Sequence, residues 1–316
     1  MSTPTAATSS TTPATRPATD KALPDWRQAD PAYIASLVQQ AQQLSGGGWY
    51  VLAGSADIGP KAQVFRVCGR ELVAWRHGHT FWVAPNRCPH MGASLAGCSA
   101  DAQGALTCPW HGLKLGPAGQ GRWQPLPVHH DGLLLWVQLL HDEAPTDRPA
   151  LPPRPARQLC AVIHHPARCA PEDILANRFD PWHAAHFHPH SFAGLRLLER
   201  GKSDITVRVR YRLWGTRSVE VDACFFATDR RSIIMQIIRG EGRDSIVETH
   251  ACPMDEGQCM VVEAAIATSE RPGFRHFLKA APWLSRLLAH RSRKLWVEDA
   301  EYAERRYALR QAGRVT

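Results

Sequence analysis

The pattern of apolar and polar positions changes from helical to strand-like near residue 47. Before that point Ile34, Leu37 and Val38 recur at the spacing of one helix face, which predicts a helix within residues 23–44. After it come short runs rich in β-branched and aromatic residues, separated by Gly, Asp and His. The clearest of these runs are WYVLAG, AQVFRV, ELVAWR and TFWVAP. This part of the chain is therefore predicted to be mostly β, ending near residue 140.

Alternating strand patterns return beyond a Pro-rich stretch, which is predicted to be a linker. They include DITVRVRYRLW, RSVEVDACFFA and RSIIMQIIRG, and basic helical sequence follows them to the end. The first residues are rich in Ser, Thr, Ala and Pro, a composition that cannot bury a core. The predicted organisation is a disordered tail over 1–24, a first domain with a leading helix over 25–142, the linker over 143–156, and a second domain over 157–316.

Composition limits the class of protein. A chain of 316 residues, 44% of them hydrophobic, can bury the cores of two domains. No run approaches the roughly 20 apolar residues needed to cross a bilayer, and the N-terminus lacks the pattern of a signal peptide. The nine cysteines show no dense, even spacing, so metal-binding or free thiols in a reducing compartment are expected. We therefore expect a cytoplasmic protein.

Two cysteines and two histidines lie in two short boxes of the first domain, CPHMG and CPWHG. They are Cys88, His90, Cys108 and His111. A zinc finger usually groups its cysteines in one box and its histidines in the other, whereas each box here holds one of each. This arrangement fits a [2Fe-2S] cluster in which the cysteines bind one iron and the histidines the other. The boxes predict an electron-transfer domain, with a zinc ribbon as the alternative.

These two boxes resemble those of the Rieske family. Respiratory Rieske proteins have a further cysteine in each loop that forms a disulfide, and Ala93 and Trp110 stand at those positions here. The resemblance therefore implies the lower-potential oxygenase or ferredoxin branch, with Cys98 as an unpaired thiol. Met91 and Leu113 depart from the residues common in oxygenases, which affects the packing of the cluster and not its ligands.

A second metal motif follows in the segment NRFDPWHAAHFHPH. Its spacing, N-x-x-D-x-x-H-x4-H, comprises Asn177, Asp180, His183 and His188. Two imidazoles and one carboxylate on one face of iron(II) leave the other positions open for dioxygen and substrate. We predict His183 and His188 as histidine ligands, and His186 and His190 are their rivals.

Both motifs together resemble the Rieske non-haem iron oxygenases, over roughly residues 45–310. The resemblance to the oxygenase (alpha-type) component implies an α+β fold. An N-terminal all-β Rieske domain is followed by a C-terminal helix-grip (START-like) catalytic domain, in which an antiparallel sheet curves around a long helix. The third iron ligand in this family comes from a late helix, which implies Asp299, with Glu298 as the alternative. The family also has an aspartate that bridges a cluster histidine of a neighbouring subunit to an iron-ligating histidine, and Asp180 matches it.

The resemblance also implies partners. Family members form ring-shaped trimers, in which the cluster of a neighbouring subunit serves each mononuclear iron. The chain has no G-x-G-x-x-G after a strand and no plant-type ferredoxin cysteines, so a separate NAD(P)H-dependent reductase is expected, with or without a ferredoxin. The net charge of +8 favours an acidic electron donor. Nucleic acid is not expected, because the basic residues are spread out and the aromatic residues show no stacking pattern.

One basic segment, residues 271–297, contains seven Lys or Arg and no acid, with Phe274, Phe277, Leu278 and Ala281 at helical spacing. It predicts either a helix that rests on an anionic membrane or a helix that packs on the sheet with a basic outer face.

The expected function is that of a terminal oxygenase with a Rieske cluster and a mononuclear Fe(II). It would activate dioxygen to hydroxylate, desaturate or O-demethylate an apolar substrate, such as a sterol, a terpenoid or carotenoid, or an aromatic compound. The alternative is an electron-transfer or lipid-binding protein without an active mononuclear iron.

Overall fold

The computed structural model describes residues 24–140, 143–212 and 217–315. Except for Pro24, the tail predicted over residues 1–24 lies outside the described residues. The described chain forms two β-rich halves on either side of the Pro-rich linker. None of its helices is long and apolar enough to cross a bilayer.

The first half consists of small antiparallel sheets. Its strands are β1 (Trp49–Gly54), β2 (Gln63–Val67), β3 (Arg70–His77), β4 (Thr80–Pro85), β5 (Leu106–Thr107), β6 (Lys114–Leu115), β7 (Val128–His130) and β8 (Leu134–Gln138). They form sheets of order β1-β8-β7 and β2-β3-β4, and a two-stranded ribbon of β5 and β6. The first cysteine–histidine box follows β4, and the second lies in the turn of the ribbon.

The second half is built on one seven-stranded antiparallel sheet. Its strands are β9 (Leu159–Ala167), β10 (Phe192–Arg200), β11 (Asp204–Arg212), β12 (Ser218–Asp229), β13 (Ser232–Gly240), β14 (Ile246–Pro253) and β15 (Cys259–Ala267). Their order in the sheet is β10-β11-β12-β13-β14-β15-β9. Strand β11 shows why the pattern makes a half-buried sheet, because Ile205, Val207 and Val209 are buried and the residues between them are not.

The helices lie mostly in the second half. They are α1 (Asp25–Gln28), α2 (Pro31–Gln42), α3 (Pro171–Phe179), α4 (His183–Phe187), α5 (Phe274–Phe277) and α6 (Ala281–Gln311). Helix α6 contacts β9 and α3. Its buried residues recur three or four apart, and most are small enough for a close approach: Ala289, Ser292, Trp296, Asp299, Ala300 and Ala303. This buried stripe carries Asp299 into the interior.

The leading helix α2, which the sequence analysis grouped with the first domain, packs against the second half instead. Asp30 caps it by accepting the Ala32 amide at 3.0 Å. Leu37 and Val38 share a core with Phe179 of α3. The apolar face was predicted correctly, but the surface that covers it belongs to the other half.

Buried ion pairs fix the linker between the halves. The Arg154 guanidinium lies 2.8 Å from Asp131 of the first half and 2.6 Å from Glu248 on β14. At the other end of the linker, Glu143 pairs with Arg231. The core of β1 is also continuous with residues of β14 and β15. The Pro-rich stretch is therefore a packed junction.

Candidate metal centres

The two cysteine–histidine boxes form loops with the same backbone hydrogen bond. The Gly92 amide donates to the Cys88 carbonyl at 2.9 Å, and the Gly112 amide donates to the Cys108 carbonyl at 3.0 Å. Gly92 and Gly112 have φ angles of +84° and +73°. Only glycine adopts this region readily, so the glycine that ends each box is required by its turn.

The four predicted cluster ligands meet at these loops. Cys88 and Cys108 are buried, whereas His90 and His111 are exposed and their ring centroids are 4.8 Å apart. Burial opposes a thiolate at Cys108, but hydrogen bonds from the Trp110 amide, the Cys88 thiol and the His111 amide lower the pKa of Cys108. Two buried sulfurs, one of them supported by amides, and two accessible imidazoles form the donor set that fits a Rieske cluster.

A turn after α3 and one face of α6 assemble a second centre. His183 begins α4, and His188 directly follows that helix. The Nε2 atoms of His183 and His188 each lie 2.9 Å from Asp299 Oδ1. The three ligand atoms lie within 4.8 Å of one another, and no other such trio occurs in the described part of the chain. Two imidazoles and a carboxylate are the donors of the facial triad that binds non-haem iron(II).

Asp299 is held as a carboxylate inside the protein. Burial opposes its charge, but His183 and His188 hold the pKa of Asp299 well below its usual range. Asn177 Nδ2 donates to the same Oδ1 atom at 3.1 Å. The Asn177 Oδ1 atom is buried and has no hydrogen-bond partner among the described residues. A buried acceptor left over beside three ligand atoms fits a centre that holds a hydrated metal ion.

Glu298, the alternative third ligand, lies on the other side of His188. Its Oε2 atom is 2.5 Å from His188 Nδ1, whereas Nε2 of the same ring faces Asp299. A carboxylate at Nδ1 keeps the ring proton there and leaves Nε2 free to bind a metal. The geometry therefore favours Asp299 as the ligand and Glu298 as the residue that orients His188.

The two rival histidines do not join this centre. His186 is exposed, and its Nε2 atom lies 2.9 Å from Asp25 Oδ2. His190 Nε2 lies 4.0 Å from Glu298 Oε2, on the outer side of His188.

Asp180 borders the centre, but no hydrogen bond joins its carboxylate to His183 or His188 in the described structure. The backbone carbonyl of Asp180 contacts His183 Nδ1 instead. The bridge to a cluster histidine of a second copy stays a prediction. Asp180 Oδ2 accepts the Tyr302 hydroxyl at 3.1 Å, and Oδ1 is buried without a partner in the described structure. Burial raises the pKa of Asp180 against the lowering effects of His183 and Tyr302. Sequence reasoning missed Tyr302, although its position three residues after Asp299 places both on one helix face.

Comparison with protein families matches the two halves separately. Residues 48–137 match the Rieske [2Fe-2S] domain. Residues 140–314, more than half of the chain, match the family described as a domain of unknown function, DUF5914. The chain belongs to the DUF5914 family. All three residues of the second centre lie in the DUF5914 region, and the four cluster residues lie in the Rieske region.

Solved structures with a similar fold include terminal oxygenases. Dicamba monooxygenase bound to dicamba has a TM-score of 0.63 at 17% identity, over 84% of the DUF5914 chain and 89% of its own. The terminal oxygenase of carbazole 1,9a-dioxygenase from Novosphingobium sp. KA1 has a TM-score of 0.57 at 14% identity, over 91% and 90%. A carbazole 1,9a-dioxygenase oxygenase in complex with ferredoxin has a TM-score of 0.52 at 14% identity, over 88% and 94%. The predicted fold class and the resemblance to the Rieske oxygenase component are confirmed at the level of the fold.

One curated relative is similar in sequence over a shorter region. The oxygenase component of chloroacetanilide N-alkylformylase from Rhizorhabdus wittichii (strain DC-6 / KACC 16600) is 36% identical over 87 residues. The match covers 27% of the DUF5914 chain and 24% of that protein. The chain thus spans about a quarter of the length of the curated relative it matches.

Proposed function

We propose that this chain is the terminal oxygenase component of a Rieske oxygenase system. The main support is the position of Asp299 Oδ1, 2.9 Å from Nε2 of both His183 and His188, in a chain that also carries a Rieske domain. A cluster alone would serve electron transfer. A second centre of two imidazoles and one carboxylate supports oxygen chemistry.

The two sets of ligands have separate tasks in this proposal. The cluster is held by Cys88, His90, Cys108 and His111, and the iron(II) by His183, His188 and Asp299. When bound, the cluster supplies single electrons and the iron activates dioxygen. The backbone carbonyl of Asp180 and the Glu298 carboxylate hold the Nδ1 protons of the two ligating histidines. Both Nε2 lone pairs therefore point to one place.

Asp180 is the proposed catalytic link between the centres. It lines an open pocket of about 590 Å³ together with Trp26 and His183. In a homotrimer of the kind that the resemblance implies, an exposed cluster histidine of a second copy would reach this pocket and donate to Asp180. Two observations support this link. Asp180 Oδ1 is buried without a hydrogen-bond partner in the described residues, and the cluster histidines His90 and His111 are exposed.

The electron donor is proposed to be a separate protein, either an NAD(P)H-dependent reductase or a ferredoxin that the reductase serves. Lys114 and Arg122 lie beside His90 and His111 on the cluster surface. A basic surface next to the exposed imidazoles suits an acidic donor. A carbazole 1,9a-dioxygenase oxygenase of similar fold has been solved in complex with ferredoxin, which supports a protein as the donor.

The substrate is proposed to be a mostly apolar organic molecule. The rings of Phe187 and Phe192 lie 5.3 Å and 6.3 Å from the His188 ring, centroid to centroid, and Tyr211 lies 5.2 Å from Phe192. Such a wall favours an apolar molecule beside the metal. The similar proteins are named for dicamba, carbazole and chloroacetanilides. The proposed reactions are hydroxylation, desaturation or O-demethylation of a sterol, a terpenoid or carotenoid, or an aromatic compound.

Metal content and oxygen-dependent turnover test this function. We expect three irons and two inorganic sulfides per chain, whereas two irons would favour an electron-transfer or lipid-binding protein. Turnover uses a surrogate reductase and a panel of sterols, carotenoids and aromatic ethers, with products read by mass spectrometry. The matched variant, Asp299→Ala, should keep the cluster absorption while losing the third iron and all oxygen-dependent product.

A further inference from the structure

A helical arm before the buried part of α6 carries apolar side chains that the fold does not bury. It comprises residues 274–287: helix α5, the 3-10 turn Leu278–Ala280 and the first two turns of α6. None of these residues is buried, although they include two Phe, one Trp and three Leu. The buried stripe of α6 begins only at Ala289. The arm is therefore an apolar element that the described chain covers only in part.

The most exposed apolar side chains of the arm lie at the end of α5 and in the first turns of α6. Phe277, Trp283 and Leu287 are 62%, 64% and 40% exposed. Within α6, Trp283 and Leu287 share their face with His290 and Lys294, because these positions follow the three- and four-residue spacing of a helix. This line therefore runs from two large apolar side chains to His290 and the cation Lys294.

The charge around this face is positive and unbalanced. Residues 271–297 contain seven Lys or Arg and no acid. Of the seven, Arg271 pairs with Glu241 at 2.7 Å, and the others have no ion-pair partner in the described structure. Long basic side chains can lay their stems over apolar surface while the charged ends reach an anion. The unpaired cations call for a negatively charged partner that also accepts Trp, Phe and Leu.

We propose that this arm docks on an anionic lipid surface. A lipid interface offers both headgroup charge for the cations and acyl chains for the aromatic and aliphatic groups. A second copy of the same face would bring like charges together. An acidic protein would satisfy the cations but not require the exposed Trp and Phe. The proposed lipid-binding surface does not include the residues of either metal centre. Its binding to lipid can therefore be measured without an assay of enzyme turnover.

Flotation of the full-length protein with vesicles tests the proposal. The protein should float with phosphatidylcholine vesicles that contain about one-third phosphatidylglycerol, and not with phosphatidylcholine alone. Binding should fall with salt, as the screening length shortens from about 10 Å at 0.1 M to about 3 Å at 1 M. The double variant Arg286→Glu with Leu287→Ser should bind roughly tenfold more weakly or worse.

The matched control changes an equally exposed apolar residue and its neighbouring cation elsewhere. Ile238→Ser with Arg239→Glu alters the end of β13, where Ile238 is 45% exposed, and should leave vesicle binding intact. Unchanged visible absorption of the cluster reports that each variant is folded. No flotation at low salt, or an equal loss in the control, overturns the proposal. The proposal is also overturned if the arm variant still floats but changes its oligomeric state, which would assign the arm to a contact between copies. It is overturned as well if the arm variant still floats and loses only its reduction by an acidic donor protein.

Discussion

Glu298 and Asp299 are consecutive residues of α6 that contact opposite nitrogens of the His188 ring. Glu298 Oε2 lies 2.5 Å from Nδ1, and Asp299 Oδ1 lies 2.9 Å from Nε2. Consecutive helix residues diverge by about 100°, so their carboxylates approach the ring from two sides. Together they fix both the orientation and the tautomer of His188.

Replacing Glu298 by Gln should weaken iron binding without abolishing it. The amide keeps the shape of the side chain but removes the charge that holds the proton on Nδ1. Partners of this kind change metal affinity by about 10–100-fold. Titration of chelator-stripped protein with Fe(II) measures the change, with cluster absorption as the internal control. Asp299→Asn should lose the mononuclear iron altogether. If the Glu298→Gln variant lost the mononuclear iron and the Asp299→Asn variant kept it, Glu298 would be the ligand and Asp299 the orienting residue.

Cys108→Ser should remove the visible absorption of the Rieske cluster. It should also lower the melting temperature, because a cluster that binds only folded protein contributes to stability. The matched control is Cys98→Ser, since Cys98 is a free thiol in the same half of the chain. It should keep both the absorption and the melting temperature. Absorption that survives in Cys108→Ser would show that the cluster is held by other residues.

The cluster loops could be predicted from sequence because everything they need is local. Each box carries two of the proposed ligands and the glycine that closes its turn. The third ligand of the second centre could not be chosen in this way. Glu298 and Asp299 are adjacent carboxylates, and only the rotation of α6 against α3 decides which one faces His183. The same limit explains α2, because an apolar stripe predicts a buried helix face but not the surface that buries it.

Arg154→Met should destabilise the junction between the halves strongly. The substitution leaves the buried carboxylates of Asp131 and Glu248 without their shared cation. Removing one partner of a buried pair costs about 3–5 kcal/mol. Thermal unfolding measures the loss. The control, Arg66→Met, breaks exposed pairs with Glu71 and Asp255 and should lower the melting temperature far less. An equal fall in melting temperature in the two variants would contradict a stabilising role for the buried ion pairs of Arg154.

The destabilisation by Arg154→Met should depend on pH in a defined direction. Burial opposes the charges of Asp131 and Glu248, but Arg154 lowers the pKa of both carboxyl groups. A lowered pKa stabilises the fold above the unfolded value, about 4, and this contribution is lost as pH falls through the folded value. The difference in melting temperature between wild type and variant should therefore be largest near neutral pH and shrink below about pH 4. A difference that grows in acid would have the wrong sign.

Asp180→Asn should keep both metal centres and lose product formation. Asn has nearly the volume of Asp, and neither carboxylate oxygen of Asp180 contacts the imidazoles of the second centre, so iron binding should not change. What changes is the buried Oδ1 acceptor, which has no partner in the described residues, of a side chain that lines the pocket together with His183. We expect product yield to fall at least roughly tenfold, about 1.4 kcal/mol in barrier. The Rieske signal of chemically reduced protein should also persist in the presence of oxygen and substrate.

Tyr302→Phe separates the two oxygens of Asp180 in the same assays. It removes only the hydrogen bond to Oδ2, 3.1 Å long, and leaves Oδ1 in place. If Oδ1 is the atom that links the centres, Tyr302→Phe should retain more product than Asp180→Asn and show faster loss of the Rieske signal in oxygen. Equal defects in the two variants would assign the effect to the orientation of the carboxylate instead. Loss of the mononuclear iron from Asp180→Asn would make Asp180 a metal ligand and contradict its proposed role as the link between the centres.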